Sequence, residues 1–151
     1  MPFNLFNFNL TVNEINLNPF NLFRKKLTKE TAFILFIDDE HFPIIDNLSK
    51  SGWNTKRIKD VKDIKDIDIK RANIIFVDYK GVGKFLAPNE EGIGIIKHLK
   101  ETYGKSKRVI FYSGYGRFSL GDHLKLADNQ MSKESDTYEF IHMIESELKK
   151  L

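Results

Sequence analysis

The stretch AFILFIDDE, Ala32 to Glu40, is a six-residue apolar run that delivers two adjacent carboxylates, Asp38 and Asp39, at its end. A second apolar run, Ile74 to Val77, ends in a third carboxylate, Asp78. Buried parallel strands read as near-continuous apolar runs, and open α/β sheets gather their ligands at the carboxyl ends of the strands, so the three acids are expected in one pocket. Convergent carboxylates repel one another unless a cation joins them. An all-oxygen set suits Mg²⁺, which takes one or two protein carboxylates and completes its shell with water and phosphate oxygens. The pattern points to chemistry on a phosphoryl group.

Strands and helices alternate outward from this stretch. After the strand Phe33 to Ile37 comes a helix from about Phe42 to Ser51, with Pro43 in its first turn, an inward face of Ile44, Ile45 and Leu48, and Gly52 at its end. Short strands are expected near Thr55 to Ile58, at Asn73 to Val77 and at Arg108 to Tyr112. A third helix, Gly92 to Thr102, carries a stripe of Ile93, Ile96, Leu99 and Tyr103 and stops at Gly104. A weak helix around Leu120 to Leu126 and a polar strand at Asn129 to Ser132 precede the last helix. That helix opens with Asp136 and Glu139 at capping-box spacing, and its expected buried face is Ile141, Ile144, Leu148 and Leu151. Five strand–helix units imply an α/β domain, a doubly wound five-stranded parallel sheet, over residues 32–151.

Residues 1–31 differ in character, with seven Asn, five Phe and only two acids, Glu14 and Glu30. They read as an N-terminal extension. PFNLF occurs twice within it, at Pro2 to Phe6 and Pro19 to Phe23, and Phe6, Phe8, Leu10 and Val12 alternate with polar residues as on a one-faced strand. Such a tail could add a strand to a partner's sheet, associate with a second copy, or pack its Phe side chains back on the domain.

With 151 residues the chain has room for one ordinary domain, and 41% apolar residues suffice for a core. The net charge of +3 is small, and Lys and Arg are interspersed with Asp and Glu. DVKDIKDIDIKR, Asp60 to Arg71, reads as a solvated face and not a nucleic-acid stripe. The absence of Cys excludes disulfides and thiolate metal sites, and fits a reducing cytoplasm. No apolar run approaches the roughly 20 residues that cross a bilayer, and the Asn-interrupted start does not resemble a secretory signal.

The ordered acids then resemble those of the receiver domains of bacterial two-component response regulators, over roughly Ala32 to Leu151. Receivers have the strand order 2-1-3-4-5. They carry an acidic pair after the first strand, matched by Asp38 and Asp39, and a phosphoryl-accepting Asp after the third, matched by Asp78 in IIFVDY. Ser113 in VIFYSGY and Lys133 in NQMSKES match the Ser or Thr after the fourth strand and the Lys after the fifth. The resemblance implies that Asp78 takes a phosphoryl group from a histidine kinase, a phosphotransfer protein or a small acyl phosphate. It implies Mg²⁺ held by Asp39, by Asp38 through water, by Asp78 and by the main-chain carbonyl of Lys80, with Lys133 and Ser113 on the remaining oxygens. The chain would then be mainly a signalling module acting by protein contact, with self-phosphorylation and autodephosphorylation as its only catalysis.

Departures from the family pattern set a second expectation beside the first. The Pro-to-Gly spacing of receivers survives at Pro88 and Gly92, but six extra residues separate Asp78 from Pro88. The resulting loop, Lys80 to Ala87, contains Gly81 and Gly83, free to take unusual φ, and Phe85 and Leu86, which suit a lid or a docking loop. Its GVGK fails the P-loop pattern, because positions 78 and 85 are Asp and Phe. Gln130 stands where receivers commonly have Tyr or Phe, and Glu134 where Pro is usual; Lys80 and Tyr115 fall where receivers tune the access of water. The alternative is a pseudo-receiver that binds an effector constitutively through residues 2–23 and the loop, without phosphorylation. Acids at strand ends are also often helix caps, and only the joint pattern favours ligands. His41, His98, His123 and His142 show no metal-ligand spacing, and Trp53 is expected in the core.

Overall fold

In the computed structural model, which describes residues 25–114 and 125–151, all five residues of β1 (Phe33–Ile37) are buried, as are those of β3 (Ile74–Asp78). Large side chains on both sides of a strand demand cover on both faces, and the fold supplies it. The elements run β1, α1 (Pro43–Lys50), β2 (Asn54–Ile58), α2 (Ile67–Arg71), β3, α3 (Glu91–Tyr103), a 3₁₀ turn (Gly104–Ser106), β4 (Arg108–Ser113), β5 (Asn129–Ser132) and α4 (Thr137–Leu148). The sheet is parallel throughout, in the order β2-β1-β3-β4-β5. The expected α/β class and strand order are therefore present, and boundaries shift by one residue at most strand and helix ends.

Alternation along the strands sorts the core into two layers. Phe33, Leu35, Ile37, Ile75 and Val77 face Ile69 of α2 and Ile93, Ile96 and Leu99 of α3. Ile34, Phe36, Ile74, Phe76, Ile110 and Tyr112 face Ile45 and Leu48 of α1 and Phe140 and Ile144 of α4, with Trp53 buried among them. In that second layer Phe36 and Phe76 stack with centroids 4.6 Å apart, and Phe140 lies 5.6 Å from Phe76. Such aromatic pairs contribute about 0.5–1.5 kcal/mol beyond their burial. β2 and β5 are half-exposed edges.

Local signals account for the helix ends. Pro43 occupies the first turn of α1, and Gly52 (φ +90°) and Gly104 (φ +53°) sit past the ends of α1 and α3 in the left-handed region. Asp136 and Glu139 form the reciprocal capping box at the start of α4, at 2.9 Å each way. The inward face of α4 is wider than the one expected. Phe140 and Glu147 are fully buried with Ile144, whereas Ile141, Leu148 and Leu151 are only partly covered. The run Asp60 to Arg71 is likewise not a purely solvated face, because Val61 and Ile69 are buried. The PFNLF repeat and its alternation, Tyr115, and most of the weak helix around Leu120 lie outside the described residues. Among the described residues no helix is long and apolar enough to cross a membrane.

A charged lattice closes the amino-terminal end of the sheet. Glu147 accepts from Arg108 Nε at 2.6 Å, Asn129 Nδ2 at 3.0 Å and Lys150 Nζ at 2.6 Å. Asp128 accepts from Lys100 Nζ and from the Val109 N–H, each at 2.8 Å. Burial works against the Glu147 charge, but these donors outweigh it and hold its carboxyl below the ordinary range. Nearby, the buried Lys107 donates to the carbonyls of Lys70 and Ala72 at 2.7 Å each, capping the end of α2, and burial lowers its pKa.

Arg108→Ala strands the buried Glu147 carboxylate with Lys150 and Asn129 alone, and is expected to cost about 3 kcal/mol in urea unfolding. Because the folded pKa of Glu147 is depressed, its stabilisation is present above the unfolded value, about 4.3, and is lost as pH falls through the folded one. The stability gap between wild type and Glu147→Gln should therefore be flat at neutral pH and shrink on acidification below that value.

Candidate phosphoacceptor and metal site

Asp38 follows β1 directly and Asp78 is the last residue of β3, so the pairing of those neighbouring strands sets the two carboxyls side by side. Both are buried, at 0% and 7% exposure, and such burial of charge is tolerated only with a partner. The partner is Lys133, one residue past β5. Its Nζ lies 2.8 Å from Asp38 Oδ2 and 2.8 Å from Asp78 Oδ2. The Lys133 N–H also donates to the Ser113 carbonyl at 3.0 Å, which ties the loop that carries the ammonium to the end of β4.

The remaining oxygens are divided unequally. Asp38 Oδ2 also accepts from the Tyr112 hydroxyl at 2.6 Å, and its Oδ1 accepts from the Glu40 N–H at 3.0 Å. Asp78 Oδ1 accepts from the Tyr79 N–H at 2.7 Å. Asp39, half-buried, has no hydrogen-bond or ion-pair partner among the described residues. Asp38, Asp39 and Asp78 each offer an oxygen within 4.8 Å of the others, a span that one cation can bridge. The donor set is all carboxylate, which fits a hard divalent ion such as Mg²⁺ or Ca²⁺. Asp39, with both oxygens uncommitted, is the best placed to bind it directly.

Burial drives the pKa of Asp78 upward, and Lys133 only partly offsets it. For Asp38 burial pushes the same way, but the bonds from Lys133, Tyr112 and the Glu40 N–H win and its carboxyl lies below the ordinary range. Burial works against the Lys133 charge, yet the two carboxylates raise its pKa. The Tyr112 phenol is pushed well up, first by burial and then by Asp38, so it remains a donor.

No protein-family model matches the sequence, and a comparison with curated proteins found no match. Solved structures do resemble it. NtrX from Brucella abortus in complex with ATP superposes with a TM-score of 0.64 at 20% identity, over 79% of this chain and 27% of that one. A response regulator from Thermotoga maritima matches at 0.58 and 18%, over 79% of this chain and 98% of the other. A response regulator from Burkholderia pseudomallei, solved with a phosphorylated aspartic acid, a calcium ion and citrate, matches at 0.55 and 16%, over 79% and 69%. This chain has the CheY-like fold of a response-regulator receiver. It spans little more than a quarter of the NtrX chain, and at these identities the likeness is one of fold.

On the receiver frame the acids and the Lys expected from the sequence come together. Ser113 is buried at the end of β4, and Lys80 lies in the exposed turn two residues past Asp78. His41, His98 and His142 are exposed, while His123 falls outside the described residues. The spacing of Pro88 and Gly92 also acquires a reason. The Gly92 N–H donates to the Tyr79 carbonyl at 2.9 Å, and a Cβ on Gly92 would lie 1.8 Å from the Asp78 carbonyl oxygen, so the start of α3 packs directly on the Asp78 backbone.

Tyr112 was not singled out by its sequence context, although strand parity gives the signal. It pairs with Asp78 in register and shares the face of Phe36 and Phe76, each two residues before a site acid. Tyr112→Phe keeps the ring packing and removes one bond to a buried carboxylate. It should cost about 1.5–3 kcal/mol in denaturant unfolding and raise the pKa of Asp38 in a carboxyl NMR titration.

Proposed function

We propose that this chain is a phosphoacceptor receiver of a two-component-type phosphorelay, with Asp78 as the acceptor. The observation that carries the reading is the Lys133 ammonium, shared at 2.8 Å by Asp38 and Asp78 inside a three-carboxylate cluster on a receiver frame. A phosphohistidine of a kinase or phosphotransfer protein, or a small acyl phosphate, would be the donor. An Asp78 carboxylate oxygen forms the new bond to phosphorus as the donor's P–N or P–O bond breaks, and the leaving group departs with its electron pair. Lys133, already beside Asp78, neutralises charge on one phosphoryl oxygen, and Ser113 at the end of β4 donates to another. Asp39 and Asp78, with Asp38 through water and the Lys80 carbonyl, would hold Mg²⁺, which supplies charge neutralisation at the transferring group when bound.

Conversion of Asp78 to a dianionic aspartyl phosphate removes the arrangement in which Lys133 balances two single carboxylates. Because the Lys133 N–H is bonded to the Ser113 carbonyl, a change at the ammonium reaches the ends of β4 and β5 together. The signal would pass by protein contact in the cytoplasm. The second reading, a pseudo-receiver that docks an effector through the inserted loop, is supported by Phe85. That ring is 60% exposed, with the Lys62 ammonium 5.1 Å from its centre.

Intact mass after incubation with acetyl phosphate and Mg²⁺ should show one phosphoryl adduct on the wild type and none on Asp78→Asn or without metal. Lys133→Met should label roughly a hundredfold more slowly. An unlabelled wild type that also fails to bind Mg²⁺ would favour the docking reading.

A further inference from the structure

The loop between Asp78 and α3 is fastened to the body of the domain. Val82, 1% exposed, is inserted into the core layer that contains Val61, Ile93 and Phe111. The N–H groups of Gly83 and Lys84 donate to the two carboxylate oxygens of Asp60 at 2.7 and 2.9 Å, and Asp60 Oδ1 also accepts from the Val61 N–H at 2.7 Å. The loop then turns on itself through the bond from the Ala87 N–H to the Gly83 carbonyl at 2.9 Å. Gly81 lies between Asp78 and these anchors, directly before the buried Val82.

Its φ is +80°, in the left-handed region that favours glycine. A Cβ built on Gly81 would lie 2.2 Å from Asp39 Oδ2 and 2.3 Å from both Asp39 Cγ and Oδ1. The three atoms of the carboxyl group thus occupy the place a side chain at position 81 would take. This is the carboxylate that no described residue binds.

We propose that Gly81 is a positioning residue for the metal ligand Asp39: its missing side chain forms the seat of that carboxylate, and the inserted loop, clamped by Asp60 and Val82, holds the seat in place. The inference rests on the metal reading above for its functional meaning and on geometry alone for the contact. Other groups that crowd the site do not substitute for it. Lys133 and Tyr112 act on Asp38 and Asp78, and neither reaches Asp39. A side chain at position 81 pushes against the far end of a flexible Asp, so the carboxylate should move before the fold does.

The test is Mg²⁺ titration calorimetry on the full chain, paired with urea unfolding of wild type, Gly81→Ala, Asp39→Ala and the double variant. Gly81→Ala should bind Mg²⁺ roughly 10–100-fold more weakly, the range for residues that orient a ligand. It should also destabilise the protein less in the Asp39→Ala background than in wild type, because the clash is gone and only the cost of the left-handed φ remains. Unchanged Mg²⁺ affinity in Gly81→Ala, or strictly additive destabilisation, would overturn the proposal. Wild type that binds no Mg²⁺ would remove the metal reading and the functional role with it, and the stability cycle would still decide whether Gly81 seats Asp39. Gly81→Asn, which tolerates the left-handed region but still carries a Cβ, answers the same questions if Gly81→Ala does not fold.

Discussion

One ammonium makes the carboxyl end of the sheet possible. Asp38 and Asp78 are buried next to each other, and without the Lys133 charge between them one would have to take up a proton or water would have to enter. The residue that resolves the conflict comes from beyond β5, at the far side of the sheet in sequence terms. Correct pairing of β1, β3, β4 and β5 is therefore needed before the acids can be charged together, and the acidic end of the sheet depends on completion of the fold.

The other end is held by a different device. Glu147, Arg108, Asp128 and Lys100 link α4, β4, β5 and α3 where the strands begin, and Lys107 closes α2 beside them. Between the two polar ends lies an aromatic layer of Phe36, Phe76, Tyr112 and Phe140, and Tyr112 belongs to both regions. Its ring packs against Phe76 while its hydroxyl reaches Asp38. Repacking of that layer would move a hydrogen bond at the site, so core and chemistry are not separable here.

The sheet was legible because β1 and β3 are short apolar runs that lead into acids, and the order of Asp38, Asp39, Asp78, Ser113 and Lys133 matched a receiver pattern whose strand order the sheet has. What could not be read depended on pairing between distant segments. Glu147 appears polar in any one-dimensional pattern, and only the convergence of Arg108, Asn129 and Lys150 explains its burial. Asp60 stands in a charge-rich run that resembles a solvated face, yet it binds a loop more than twenty residues later. The α4 face was read incompletely for a related reason. The aliphatic stripe gave the buried Ile144 and the partly covered Ile141 and Leu148, but it omitted Phe140, which packs against Phe36 and Phe76.

The clamp at Asp60 has a consequence for how this loop can be inherited or transplanted. Its geometry is specified by a carboxylate on the segment after β2, a valine buried in the core layer of Val61, Ile93 and Phe111, and a glycine whose missing side chain leaves room for the Asp39 carboxyl. Excision of the extra residues would leave Asp60 with bonding capacity unused and open a void where Val82 sits. Conversely, a graft of the eight residues alone onto another domain of this shape would carry Val82 but neither Asp60 nor the core layer that receives the valine. The loop is thus a joint property of two crossovers, and changes in one crossover constrain which sequences the other can hold.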